Sequence, residues 1–414
     1  MPPGDLADAP ASRYWIRRLL PSLREPRRTL TRSGWTYVGL SLFMGVAATN
    51  TQANLLFAVF GLTLGVLLAS GVLSSLVMKK LSVTRVLPGQ MVAGQAASLV
   101  YECENGKRFW PTMSIRIGEA SCGTAFVRRP LAYLAHLAPR GRTSIAIEVI
   151  PRRRGVLKLD KLELNTGYPL GFARRVRMVE QRHSMVVFPA LGRVDERLLK
   201  MCRSADASGA SVRPRGGGQD EFYGVHEYRT GQNPRWIYWR RSARTGVLVS
   251  REMTQVSPPR IVVLVDTQLG PDAADAASVE RTIAMAASLA HAALERGMSV
   301  GAAAPMPSSG SPRPKRGDDW LLVAPTRGKR HRQDLLAALA RLPPNTDQPA
   351  ERLIEVARDL TGGVTTAVLV TSRRVEMHLA DRVRGAMIVV QSGSPEAAGW
   401  FHFDPSIDFA GMQP

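Results

Sequence analysis

The stretch Leu55–Met78, LLFAVFGLTLGVLLASGVLSSLVM, carries no ionisable side chain along its whole length. Wound as a helix, it is long enough to cross a hydrocarbon core of about 30 Å. Just before it lies Ser33–Thr49, SGWTYVGLSLFMGVAAT, whose sole ionisable group is Tyr37. That run is at the short limit for a span and would borrow a few flanking residues. Only the uncharged residues Asn50, Thr51, Gln52, Ala53 and Asn54 separate the two. A secretory leader has a single apolar run and a small-residue cleavage site. Two runs around a short polar turn predict a transmembrane helical hairpin, Ser33 to Thr49 and Leu55 to Met78. The competing reading, a buried helical hairpin of a soluble core, must hide two long charge-free helices in a domain of modest size.

The flanks set an orientation. Arg13, Arg17, Arg18, Arg24, Arg27, Arg28 and Arg32 precede the first run, against Asp5, Asp8 and Glu25, and Lys79, Lys80 and Arg85 follow the second. Cationic flanks stay on the cytoplasmic side, so both termini and the bulk of the chain are expected there, on a multi-pass protein of the cell (inner) membrane. Trp35 and Tyr37 stand where an interfacial aromatic belt would lie. Segment Tyr14–Leu20 has the composition to rest on anionic headgroups.

The chain has 414 residues, 45% of them hydrophobic, with a formal net charge of +21. That length predicts two to three domains, and the apolar share excludes wholesale disorder. Three cysteines, Cys103, Cys122 and Cys202, form no disulfide framework and no C-x-x-C metal pair, which suits a reducing compartment. The positive charge invites nucleic acid or an anionic surface, but a large part of it is stacked beside the apolar runs.

Beyond residue 80 the pattern changes twice. Leu81 to about Ile150 alternates in strand fashion between turns such as Pro88-Gly89 and Asn105-Gly106, and Val156–Leu159, Leu162–Leu164 and Met185–Pro189 continue it. This predicts a β-sandwich-like module. Residues 203–220 are polar and Gly-rich and read as a flexible connection. From Arg260, the run Ile261–Val265 ending in Asp266 has the continuous apolarity of a strand buried on both faces. Helical and strand patterns alternate after it: helix over 273–296, strands over 298–304 and 320–324, helices over 333–342 and 350–360, and strands over 366–371 and 386–390. They predict a doubly wound parallel α/β domain. The whole reads as a multidomain α+β chain: a basic segment over 1–32, the two helices over 33–78, the β-rich module over 79–200, a linker and signature motif over 201–259, the α/β domain over 260–392 and a tail over 393–414.

The densest local feature is 220–253, DEFYGVHEYRTGQNPRWIYWRRSARTGVLVSREM. It interleaves Arg229, Arg235, Arg240, Arg241, Arg244 and Arg251 with Tyr223, Tyr228, Trp236, Tyr238 and Trp239. Guanidinium groups among rings suit stacking on bases and pairing with phosphates. They suit equally an internal clamp in which arginine bridges carboxylates such as Glu221, Glu227 and Glu252 while the rings fill a core. Composition favours the clamp, because nucleic-acid faces rarely hold so many large apolar side chains between the charges.

This segment resembles the signature of the bacterial family filed as "domain of unknown function 58". The matching residues are Glu221, Phe222, Tyr228, Gly231, Arg235, Ile237, Trp239, Ser242, Ala243, Arg244, Leu248, Arg251 and Glu252. Asn165–Phe172 stands in place of the family's usual Asp-Pro-Phe-Gly-Leu, and Gly231-Gln232 replaces its Gly-Asp. The resemblance implies a C-terminal domain similar to von Willebrand factor type A and, as partner, a MoxR-type AAA+ ATPase in cell-envelope or stress functions. Domains of that type hold a divalent metal through Asp-x-Ser-x-Ser at the end of the first strand. Here Asp266 is followed by Thr267-Gln268-Leu269-Gly270, so only a degenerate Mg²⁺ site is expected, from Asp266, Thr267 and Thr371 with Ser372, Asp272 or Asp275 nearby. No other cofactor is expected.

Enzyme signatures are missing from the sequence. There is no G-x-x-x-x-G-K-[ST], no H-E-x-x-H and no G-x-S-x-G, and the seven histidines are scattered. His226, beside the signature, is the one histidine placed to matter. The expected function is that of a membrane-anchored, non-enzymatic adaptor or interaction protein. The alternatives are a binder of nucleic acid or an anionic polymer through the Arg/aromatic motif, and a cryptic enzyme of unnamed chemistry. Burial of the motif discriminates, since buried side chains would weaken both alternatives.

Overall fold

The computed structural model describes residues 27–209, 221–254, 259–268, 276–306, 320–343, 350–358, 360, 365–373 and 386–410. The chain divides into two compact units, one running to Val187 and the other from Phe188.

The first unit opens with strand β1 (Arg27–Leu30) and helices α1 (Arg32–Thr51) and α2 (Asn54–Met78). Thr31 caps α1, its hydroxyl accepting the Gly34 N–H at 3.0 Å. The buried residues of α1, Gly34, Ser41 and Ala48, recur at seven-residue spacing and so form one stripe. Along the contact the Ser41 and Thr63 hydroxyls lie 2.9 Å apart, the Tyr37 hydroxyl donates to the Thr63 carbonyl at 3.2 Å, and Gly45 leaves room for the Phe60 ring. The large apolar side chains point the other way, with Leu42, Phe43, Leu55 and Leu62 each about two-thirds exposed or more. Small and polar inside with apolar outside inverts the pattern of a water-soluble helix pair. Among the described residues one helix, Asn54–Met78, is long and apolar enough to cross a membrane, and little of it is buried in the protein. The first expected span falls within α1, but Arg32 and the polar residues at its ends leave that helix less apolar.

The rest of this unit is β-rich: β2 (Leu81–Val86), β3 (Met91–Val92), β4 (Ala97–Asn105), β5 (Thr112–Glu119), β6 (Leu131–Leu137), β7 (Arg142–Val149), β8 (Gly155–Thr166) and β9 (Ala173–Phe188). One sheet has the order β1-β9-β8-β5-β6, with β3 also pairing β9, and the other the order β2-β4-β7. Alternate residues turn inward, giving a core that includes Val83, Leu99, Ile115, Ile117, Leu162 and Leu164. The sheets are tied by an ion pair that the alternation does not predict. Arg85 on β2 grips Glu119 on β5 through two hydrogen bonds of 2.8 and 2.6 Å, and the Tyr101 hydroxyl donates to the same carboxylate at 2.9 Å. Neither charged side chain has any exposed surface. Burial is the larger influence on Glu119, pushing its carboxyl upward, and Arg85 opposes it.

The second unit begins with β10 (Arg193–Val194) and α3 (Glu196–Gly209), so the β-rich module expected to reach residue 200 ends with β9. The expected flexible connection over 203–220 is helical as far as Gly209, and the rest of it lies outside the described residues. The helix is held by Leu198, Leu199 and Cys202, all buried, and by the Thr366 hydroxyl, which donates to the Cys202 carbonyl at 3.1 Å. Next come β11 (Glu221–Glu227), a 3₁₀ turn (Pro234–Trp236), α4 (Trp239–Thr245) and β12 (Val249–Thr254), followed by β13 (Arg260–Val265), α5 (Ala276–Glu295), β14 (Ser299–Pro305) and β15 (Trp320–Thr326). The chain continues through α6 (Lys329–Ala340), α7 (Ala350–Ala357), β16 (Thr366–Thr371), β17 (Met387–Gln391), α8 (Pro395–Trp400) and β18 (Phe401–His402).

The five-stranded sheet has the order β15-β14-β13-β16-β17. Four strands are parallel as expected, but β15 runs antiparallel to β14, so that edge departs from the all-parallel reading. The continuous apolar run of β13 is explained by cover on both faces. Val262 and Leu264 pack with Leu353, Ile354 and Ala357 of α7, while the intervening Ile261, Val263 and Val265 are buried on the opposite face. Because the strand order reverses between β13 and β16, their carboxyl ends flank the crevice where open α/β sheets place their sites.

Candidate interaction surface

Residues 221–254 fold as a two-stranded antiparallel hairpin, β11 against β12, with the 3₁₀ turn and α4 in its connection. The pairing places Glu221 opposite Thr254, Phe222 opposite Met253 and Gly224 opposite Glu252. A few signature residues hold this shape. Gly231 has φ near +100° and Gly246 near +72°, conformations that a side chain would strain. Ser242 is buried, and its hydroxyl accepts the Val249 N–H at 2.9 Å while donating to the Tyr238 carbonyl at 3.1 Å, fastening α4 to β12. Ile237 is buried and bridges to Ser250. The Arg251 guanidinium lies 4.4 Å from the centre of the Tyr238 ring, a cation–π contact.

Gln232, where the family pattern has an acid, organises the turn. Its Oε1 accepts the Arg229 N–H at 3.2 Å, its Nε2 lies 2.9 Å from His226 Nε2, and its carbonyl accepts the Tyr228 hydroxyl at 2.9 Å. An amide serves a backbone donor and a ring nitrogen at once, whereas an ionised carboxylate could only accept.

Several signature residues face water. Trp239 is 64% exposed, and Arg235, Arg240, Arg241, Ala243 and Arg244 are exposed with it, next to Val247 and Leu248. This departs from the internal-clamp reading: Trp239 and the guanidinium groups of α4 are displayed on the surface, and among the described side chains of the hairpin Ile237, Ser242, Val249 and Ser250 are buried beneath them. Composition could not separate the two arrangements, because arginine and tryptophan pack their apolar parts in either.

The second place of interest is the crevice at the ends of β13 and β16. Asp266 and Thr267 are fully buried. Asp266 Oδ2 accepts the Thr371 hydroxyl at 2.8 Å and two hydrogen bonds from the Arg373 guanidinium, at 3.1 and 2.9 Å, while Oδ1 accepts the Gln268 N–H at 3.1 Å. The Thr371 hydroxyl in turn accepts the Arg373 N–H at 3.0 Å. Asp266 and Thr371 thus come together as expected, but the cation beside them is Arg373, which the sequence reading did not single out. Its signal was an arginine two residues past a strand-end threonine on the neighbouring strand. A divalent ion does not fit the arrangement, because the carboxylate oxygens it would need are already taken by these donors. Among the described residues no group of three or more His, Cys, Asp or Glu is arranged to hold a metal. Asp272 and Asp275 lie outside the described residues.

An open sheet with this strand order and helices on both faces defines the second unit's sheet as a doubly wound α/β domain. Residues 224–374 match the family model described as "Protein of unknown function DUF58", and this region of the chain belongs to that family. No curated protein matches the chain.

Proposed function

We propose that the protein is a membrane-anchored, non-enzymatic adaptor that offers the α4 face to a protein partner. The observation that carries this reading is the exposure of Trp239 among Arg235, Arg240, Arg241 and Arg244 on a hairpin whose buried residues serve only to hold it rigid. Tryptophan and arginine dominate the energetics of protein interfaces, and a rigid display loses little entropy on binding. The cationic character selects a partner with an acidic surface.

In this reading α1 and α2 form a transmembrane hairpin of the cell membrane. Their outward apolar side chains and small-residue contact support it, and the cationic flanks favour cytoplasmic termini. The second unit is read as von Willebrand factor type A-like, with a strand-end carboxylate at its switch point. The family resemblance makes a MoxR-type AAA+ ATPase the partner to seek first. A tagged full-length chain is expected to co-purify with such an ATPase from detergent extract. A Trp239→Ala chain should lose about 2 kcal/mol of binding, roughly 30-fold. Equal recovery by both chains, or no ATPase with either, would count against the proposal.

The same exposure favours a second reading, an anionic-polymer site, since rings and guanidinium groups on a surface suit single strands. That reading requires a mobility shift of single-stranded nucleic acid that weakens steeply with salt.

A further inference from the structure

The first unit carries two pinned loops with apolar tips, each tied to one end of the α1/α2 pair. The loop between β4 and β5 is fixed from inside by Lys107, which is buried and whose ammonium donates to the Val77 carbonyl at 2.7 Å, the Leu76 carbonyl at 3.1 Å and the Thr112 hydroxyl at 2.8 Å. The Leu76 and Val77 carbonyls lie in the last turn of α2, so the lysine helps to cap its C-terminus. Asn105 holds the same loop through the carbonyls of Trp110, Leu137 and Ala138, at 3.1 to 3.2 Å. On this fixed backbone Phe109 and Trp110 are nonetheless 76% and 53% exposed, with the Arg108 guanidinium 5.1 Å from the Phe109 ring centre.

The loop between β8 and β9 is tied to the start of α1. The Thr31 hydroxyl donates to the Gly171 carbonyl at 2.7 Å, and the Tyr37 and Phe172 rings stack at 4.3 Å. Gly34 admits this loop, since a side chain there would collide with the Phe172 carbonyl. Its tip, Leu170, is 53% exposed. Single exposed apolar residues are ordinary on protein surfaces. Here three of them sit on rigid loops beside the ends of two outwardly apolar helices, with Lys79, Lys80 and Arg108 exposed among them. Aromatic rings interspersed with basic groups are what the headgroup layer of a bilayer accepts.

We infer that Phe109, Trp110 and Leu170 enter the headgroup region of the bilayer on the side from which the helices emerge, seating the β-rich module against the membrane. This rests on the membrane-anchoring reading above. Cys103, Cys122 and Cys202 are buried, so a single introduced cysteine can be labelled selectively. The full-length chain, reconstituted in vesicles of phosphatidylcholine and phosphatidylglycerol, would carry an environment-sensitive fluorophore at Phe109→Cys, Leu170→Cys or, as control, Leu131→Cys. Leu131 is exposed and lies at the opposite end of β6 from Leu137, which pairs with Thr112, about 20 Å away at about 3.3 Å per residue. Labels at 109 and 170 are expected to shift to the blue and to be quenched by lipids brominated near the headgroup, and the label at 131 to show neither effect. Labels at 109 and 170 as water-exposed as the one at 131, in a chain that resists carbonate extraction, would overturn the inference. A chain stripped from the vesicles by carbonate would overturn the anchoring reading, and this inference with it.

Discussion

Asp266 closes a buried strand and gathers both Thr371 and Arg373 on its carboxylate. Its place at the end of a buried strand follows from the apolar run before it, and Thr371 reaches it because β13 and β16 are neighbours. The third member, Arg373, is distant in sequence from Asp266, and only the sheet's crossover brings the two side chains together. The carboxylate is fully buried, so removing its cation leaves an uncompensated charge. Arg373→Ala is expected to lower unfolding free energy by about 3 kcal/mol, with Arg373→Lys intermediate, as measured by denaturant titration. The thiols give a prediction in pH. Burial pushes Cys202 up to about 12 and Cys103 up to about 11. A folded-state value above the unfolded one means that the native chain keeps a proton that the unfolded chain releases. The contribution is therefore whole below the unfolded value of about 9 and declines as pH rises from there toward about 12. The stability gap between the parent chain and Cys202→Ala should accordingly narrow between about pH 9 and about pH 10.5.

At the scale of elements, the Arg85–Glu119 pair links the two sheets of the first unit. Replacing Glu119 by Gln should cost about 3–5 kcal/mol, because Arg85 then stays buried without its counter-ion. Replacing both residues with apolar ones of similar volume should recover much of that loss, and thermal melts of the single and double variants check it. The strands here were legible because β-alternation survives single-sequence reading, as in Leu99, Tyr101 and Cys103 facing inward on β4. Arg85 broke the pattern silently: it takes the inward place two residues past Val83, where a charged side chain is not expected, and its partner is on another sheet. The C-terminal half of α3 was missed because Ser204–Gly209 is small and polar and leads into a Gly-rich run, while the anchors that hold the helix lie earlier, at Leu198, Leu199 and Cys202. The signature was legible as a motif but not as a surface. Its glycines and Ser242 encode a turn and a fastening, and nothing in their spacing says which side of α4 meets water.

For the whole molecule, the +21 charge falls into separate roles. Part flanks the apolar helices, part surrounds the pinned loops of the first unit, and part is displayed on α4 of the second. Each is a cationic surface with aromatic rings nearby, which suits a chain seated on a membrane that presents a face to an acidic partner. The measurement that tests this most directly is photo-crosslinking in cells, with a photoreactive amino acid replacing Trp239 in the full-length chain. The account predicts a discrete protein adduct from position 239 that disappears when Arg235 and Arg244 are changed to Glu. Nucleic-acid adducts alone, or no adduct from a folded and membrane-inserted chain, would contradict it.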